Sequence, residues 1–209
     1  MTARKKVAIL ISGRGSNMQS LIQAANEADY PAEIIGVFSN RADAAGLDYA
    51  KAHGIQTAVI SHKNFDSRES FCEALDSKLE EWGTEFICLA GYMRIHSNAF
   101  AEKWLGKMLN IHPSLLPLFK GLHPQRQAIE AGVKISGATV HEVTPELDAG
   151  PPVLQGVVPV LDDDDVDKLS ARILTVEHQI YPLGLKQYIQ KQSNTDQQSA
   201  NQVSFHWPQ

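Results

Sequence analysis

A chain of 209 residues with 19 Lys and Arg against 24 Asp and Glu carries a formal charge of −5, and 43% hydrophobic with 21% charged residues is the composition of an ordinary globular protein. At this size roughly 70% of the extended surface is buried, so no staple is required, and two cysteines, Cys72 and Cys88, exclude a disulfide scaffold or a Cys-rich zinc module. No apolar run approaches the roughly 20 residues that span a bilayer. The basic start Met-Thr-Ala-Arg-Lys-Lys is followed by no signal-peptide core or cleavage site. Mild acidity without a Lys/Arg cluster argues against non-specific nucleic-acid binding. The expectation is a soluble cytoplasmic enzyme with neither nucleic-acid nor membrane partners.

In chain order, residues 7–11 form a continuous apolar run, the pattern of a strand buried on both faces of a parallel sheet. A Gly/Ser loop follows, and Met18, Leu21, Ile22 and Ala25 recur at helical spacing. Residues 34–38 read as a second strand, a short helix stops near His53-Gly54, and residues 57–60 read as a third strand. Asp66 and Glu69 suggest a capping box for a helix whose face is Phe71, Leu75, Leu79 and Trp82, and residues 86–90 read as a fourth strand. This alternation predicts an α/β fold, Rossmann-like, with a mostly parallel sheet and helices on both faces.

The second half departs from that rhythm. Residues 108–111 form a short strand that runs into the proline-bounded loop His112-Pro113-Ser114-Leu115-Leu116-Pro117. A helix is expected over 125–131. Strands over 136–143, with alternating faces, and 153–161 are expected to pair antiparallel in the C-terminal part. Val166, Leu169, Ile173, Val176 and Ile180 mark a long helix that Pro182 should kink or end. A polar tail from 192 to 209 contains Val203-Ser204-Phe205, a candidate edge strand. There is no internal repeat and no linker, which predicts one domain.

Three segments carry chemistry. Ser12-Gly13-Arg14-Gly15-Ser16-Asn17 joins the first strand to the first helix, where free N–H groups and the helix dipole suit an anion. The dinucleotide fingerprint fails at Met18, and no acidic residue closes the second strand, so a single phosphate fits better. The competing reading is a plain turn with Ser16 or Asn17 as helix cap. Next, alternation puts Asn110 and His112 on one side of the strand end, an oxyanion donor beside a proton carrier; the bland alternative is a core histidine satisfied by backbone. Third, Asp148, in a loop bounded by Pro145 and Gly150-Pro151, is either a turn residue or the partner that orients His112 and stabilises its imidazolium. His123 and His141 read as lone histidines without metal-ligand spacing. Asp162 to Asp165 read as a solvated turn capping the long helix. Arg68, a cation in the first turn of a helix, is mildly misplaced there.

Taken together, Ile11-Ser12-Gly13-Arg14-Gly15-Ser16-Asn17-Met18-Gln19, Phe38-Ser39-Asn40, Leu89-Ala90-Gly91-Tyr92-Met93-Arg94-Ile95, Asn110-Ile111-His112-Pro113-Ser114-Leu115-Leu116-Pro117 and Glu177-His178-Gln179-Ile180-Tyr181-Pro182 resemble the phosphoribosylglycinamide formyltransferase family over about residues 6–190. The resemblance implies a catalytic domain over 1–191. It implies a catalytic trio of Asn110, His112 and Asp148, and a ribonucleotide site at Gly15, Ser16, Asn17 and Glu177. A folate site is implied at Arg68, Met93, Arg94, Ile95, Asn110 and Thr144. The implied reaction is formyl transfer from 10-formyltetrahydrofolate to the amine of phosphoribosylglycinamide in purine biosynthesis, with no metal, in a monomer or homodimer.

Two segments depart from that family. Leu118-Phe119-Lys120-Gly121-Leu122-His123-Pro124 and residues 132–139 look more like formyltetrahydrofolate deformylase, and Pro151-Pro152 adds a proline. That hydrolase family carries an N-terminal regulatory domain, whereas the first strand here is expected near residue 7. A transferase acting on methionyl-tRNA would be expected to add a basic C-terminal domain. A non-catalytic domain binding a phosphate ligand is the alternative if the trio does not converge.

Overall fold

A computed structural model describes residues 4–194 and 204–206. The chain divides into two compact units, Met1–Leu109 and Asn110–Gln209. In the first, β1 (Lys5–Ile11), β2 (Ala32–Ser39), β3 (Gln56–Val59) and β4 (Phe86–Leu89) alternate with α1 (Ser16–Ala25), α2 (Gly46–Ala52), α3 (Arg68–Glu81) and α4 (Asn98–Lys103). The four strands are parallel in the order β3-β2-β1-β4. β1 is central in that order, and its five apolar residues from Val7 onward have no exposed surface, which is why the sequence there is apolar without alternation. Because the strands are parallel, the segments that follow them leave the sheet at one edge, where open α/β sheets bind ligands.

The second unit holds α5 (Pro124–Glu130), β6 (Ile135–Glu142), β7 (Pro152–Pro159), α6 (Val166–Asn194) and β8 (Ser204–His206), preceded by β5 (Met108–His112), which crosses the boundary between the units. β6 and β7 are antiparallel, and β8 adds to β7 in parallel near the expected edge-strand position. α6 packs on β6 and β7 through Leu169, Ile173, Val176 and Ile180, all buried. The α/β class and the antiparallel C-terminal strands are those expected. Of the tail beyond 191, positions 195–203 and 207–209 lie outside the described residues.

Local readings are corrected at three places. The cap of α3 is Ser67, whose Oγ accepts from Ser70 N–H at 3.1 Å, rather than Asp66; an extended backbone at Ser67 supplies the capping geometry. α1 takes no side-chain cap from Ser16 or Asn17 and begins instead at Gly15 in the left-handed region. α6 continues through Pro182. β6 is buried along nearly its whole length, on both faces. The acidic run behaves as expected, with Asp165 Oδ1 accepting from Lys168 N–H at 2.8 Å.

Candidate active site

The anion loop lies in the first unit. Gly15 holds φ at 71°, a conformation that costs an L side chain about 1–2 kcal/mol, and this turns the chain directly into α1. Gly46 N–H donates to the Gly13 carbonyl at 3.1 Å and fixes the loop from behind. No side chain caps α1, and the N-terminal turn of a helix, with its N–H groups and dipole, is a place that suits an anion. Residues 12–17 line a cleft of about 380 Å³ together with Asn40, Arg41, His62, Met93 and Arg94. Arg41 is already paired with Asp43 at 2.6 Å. Arg14 and Arg94 are exposed.

In the second unit, β5 ends in Asn110 and His112, and the loop after β6 brings Asp148 to them. His112 Nδ1 stands 3.5 Å from Asp148 Oδ2, and both side chains are buried. His112 Nε2 donates to the Phe119 carbonyl at 3.0 Å, so each ring nitrogen faces an oxygen acceptor. The Asp148 carboxylate also accepts from Gly121 N–H at 2.8 Å. Asp148 itself has φ of 49°, a region where Asp and Asn are the tolerated non-glycine residues. Two residues on, a Cβ at Gly150 would fall 1.8 Å from the Glu142 carbonyl oxygen; the loop closes onto the end of β6 only because that side chain is missing.

The prolines around His112 are pinned by β6 and β7. Thr139 Oγ1 donates to the Ser114 carbonyl at 2.7 Å and accepts from Leu116 N–H at 3.0 Å. Gln155 Nε2 donates to the Leu116 carbonyl at 2.9 Å. Buried polar groups satisfied in this way hold the segment in one arrangement.

His112 and Asp148 meet directly, and a fourth member that spacing alone did not reveal, His141, ties Asn110 to Asp148. His141 Nε2 is 3.1 Å from the Asn110 amide nitrogen and 3.8 Å from Asp148 Oδ1. Burial pushes the His141 pKa below its ordinary value, against the opposing bond to the Glu142 carbonyl. The available signal was its place on a strand, where alternation sets it on the same face as Thr139. Other expected residues are more scattered. Gly15, Ser16, Asn17, Met93 and Arg94 share the cleft of the first unit, whereas Arg68, at the start of α3, and Ile95 are exposed and do not line it. Thr144 donates to the Glu146 carbonyl at 3.1 Å within the Asp148 loop, and Glu177 is buried on α6. A mostly apolar cleft of about 480 Å³ between Ile135, Val158 and Arg172 contains none of the expected site residues.

A buried carboxylate, two imidazoles and an amide at the end of a strand in an α/β fold are the equipment of an enzyme that moves protons beside a developing oxyanion. The formyl transferase family matches residues 5–185. Over 177 residues the chain is 46% identical to the phosphoribosylglycinamide formyltransferase of Escherichia coli (strain K12), covering 85% of this chain and 84% of that one. It is 50% identical over 183 residues to the trifunctional purine biosynthetic protein adenosine-3 of Bos taurus, and it spans only 18% of that relative's length. The crystal structure of phosphoribosylglycinamide formyltransferase from Brucella melitensis is similar at a TM-score of 0.85 and 49% identity, covering 89% of this chain and 96% of that one. Glycinamide ribonucleotide transformylase 1 from Symbiobacterium toebii is similar at a TM-score of 0.88 and 42% identity, covering 91% and 90%. The chain belongs to the formyl transferase family, on its phosphoribosylglycinamide formyltransferase branch.

Proposed function

We propose that this chain transfers a formyl group from 10-formyltetrahydrofolate to the amine of phosphoribosylglycinamide, as a cytoplasmic enzyme of purine biosynthesis acting as a monomer or homodimer through one catalytic domain, residues 1–191. The observation that carries the reading is the convergence of Asn110, His112 and Asp148, within a family match spanning most of the chain. The folate supplies an activated formyl group. Asn110 donates to the oxygen of that group as negative charge develops there. His112 moves the proton that the attacking amine loses toward the leaving nitrogen, and Asp148 holds the imidazolium in place. The reaction as written uses no metal.

The phosphate of the ribonucleotide sits on the backbone N–H groups of Gly15, Ser16 and Asn17, and Glu177 accepts from the ribose hydroxyls. The folate lies against Arg68, Met93, Arg94, Ile95, Asn110 and Thr144. Met93, Ile95 and Leu147 support this placement, since each leaves more than half of its surface exposed; apolar side chains this exposed offer a surface to a ring system. Holding two substrates in register can contribute about 7–11 kcal/mol to the rate.

The deciding assay incubates the protein with 10-formyltetrahydrofolate, with and without phosphoribosylglycinamide, and follows formylated product and formate separately. Product that requires the ribonucleotide is expected. Rapid formate release without it would make the chain a hydrolase.

A further inference from the structure

One hydrogen-bonded line runs along the edge of the first unit where its strands end. Ser12, directly after β1, donates from Oγ to Asn40 Oδ1 at 2.6 Å and accepts from Met93 N–H at 2.8 Å. Asn40, directly after β2, donates from Nδ2 to His62 Nδ1 at 3.2 Å. In this arrangement the Ser12 hydroxyl, which accepts from Met93 N–H, gives its own proton to Asn40 Oδ1, and the Asn40 amide nitrogen faces His62. His62 Nδ1 is then an acceptor, and the ring carries its proton on Nε2.

Ser12 and Asn40 are buried, whereas His62 is half-buried and lines the cleft of the anion loop. The ring is steadied by an edge contact with Phe71, at 6.3 Å between centroids. The charges acting on it, Arg94 from the segment after β4 and Lys63 beside it, are both positive. Burial and then Arg94 hold its pKa below the ordinary imidazole value, which keeps it uncharged near pH 7. Ser12 also ties the two segments through its backbone, donating from N–H to the Gly91 carbonyl at 3.1 Å.

We propose that Ser12, Asn40 and His62 are a positioning relay that locks the anion loop to the Met93 backbone and presents the Nε2–H of His62 to the phosphate of the substrate. A neutral, oriented donor adds direction to a cleft in which Arg41 is engaged by Asp43 and Arg14 and Arg94 are exposed. The identity of that phosphate rests on the formyl-transfer reading; the relay itself does not.

His62→Ala is expected to raise KM for phosphoribosylglycinamide about tenfold with kcat held within about twofold, the size of one hydrogen bond, and His62→Gln, which restores an N–H, to recover most of the loss. Asn40→Asp keeps the acceptor for Ser12 but sets a carboxylate against Nδ1, so His62 gains a proton and KM acquires a dependence on pH between about 6 and 8. An unchanged KM in His62→Ala, or a flat KM profile in folded Asn40→Asp, overturns the relay. Two measurements need no formyl donor. In the unsubstituted protein, nitrogen NMR should show the His62 proton on Nε2, and finding it on Nδ1 overturns the proposal. Titration with inorganic phosphate should be weaker in His62→Ala by a similar factor. Phosphate binding through His62 without any formylated product would remove the activity and leave the relay standing.

Discussion

The Asn110 amide nitrogen lies 3.1 Å from His141 Nε2, and this contact decides which way Asn110 faces. His141 Nδ1 is 2.8 Å from the Glu142 carbonyl oxygen, so its proton is committed there and Nε2 accepts. Burial holds the ring neutral near pH 7. His141→Phe fills the space but removes the acceptor, freeing the amide to turn. It should lower kcat about 10- to 100-fold, the order of one misaligned oxyanion donor, while KM for both substrates stays within a few-fold. His141→Gln should recover part of the loss, because its carbonyl can accept from Asn110. Steady-state kinetics on the three proteins test this, and an unchanged kcat in His141→Phe would remove the residue from the catalytic arrangement.

Asp148 is the hub of the cluster, 3.5 Å from one imidazole and 3.8 Å from the other. Its φ of 49° makes the choice of substitution decisive. Asn tolerates the left-handed region and can still accept from Gly121 N–H, so Asp148→Asn removes the charge and little else. The expected outcome is a kcat reduced by about 10²–10⁴, with His112→Ala in the same range, and a thermal midpoint close to that of the parent. Asp148→Ala should lose the same activity and also unfold earlier, because alanine is strained at that φ. Near-normal turnover in Asp148→Asn would refute the assigned role.

How much of this was legible in the sequence depends on the length of each signal. β1 to β4 lie within two residues of their expected bounds; for β1 and β4 the reason is that buried parallel strands are written as unbroken apolar runs. α4 was missed because six residues, Asn98–Lys103, are too few to display a helical period. Pro182 was expected to kink or end the last helix, yet α6 runs on past it, with Ile180, Tyr181, Leu185 and Tyr188 buried on either side; tertiary packing outweighs the local penalty there. The trio was readable only as types of residue. Asn110 and His112 are fixed by one strand, but their meeting with Asp148 and His141 depends on β6 and its loop, about 30 residues away, and no local pattern records that closure.

Gly15 offers a test of the anion loop that leaves the trio intact. Its φ is 71°, and a Cβ there would stand 3.1 Å from Met18 Cε and 3.4 Å from Gly46 Cα. Gly15→Ala should cost about 1–2 kcal/mol of backbone strain and rotate the first N–H groups of α1 away from the phosphate. KM for the ribonucleotide is expected to rise at least tenfold, with KM for the formyl donor nearly unchanged. Equal effects on both would point to general loosening rather than loss of the phosphate site.

His96 makes a prediction about stability rather than catalysis. Its ring is stacked between Tyr92, 5.3 Å away at 15°, and Phe100, 4.6 Å away at 16°. Among the described residues neither ring nitrogen has a hydrogen-bond partner, and burial lowers its pKa to about 4. An exposed histidine titrates near 6.5, so between these values the unfolded chain takes up a proton that the folded chain refuses. The stability that depends on a neutral His96 is complete above about pH 6.5 and is lost as the pH falls toward 4, by about 3 kcal/mol at most. His96→Phe keeps the aromatic stack and removes the titration. Urea unfolding at pH 7.5 and 4.5 separates the two proteins: the variant should match or trail the parent at the higher pH and exceed it at the lower. An equal difference at both pH values would show that the acid sensitivity of the fold comes from another group.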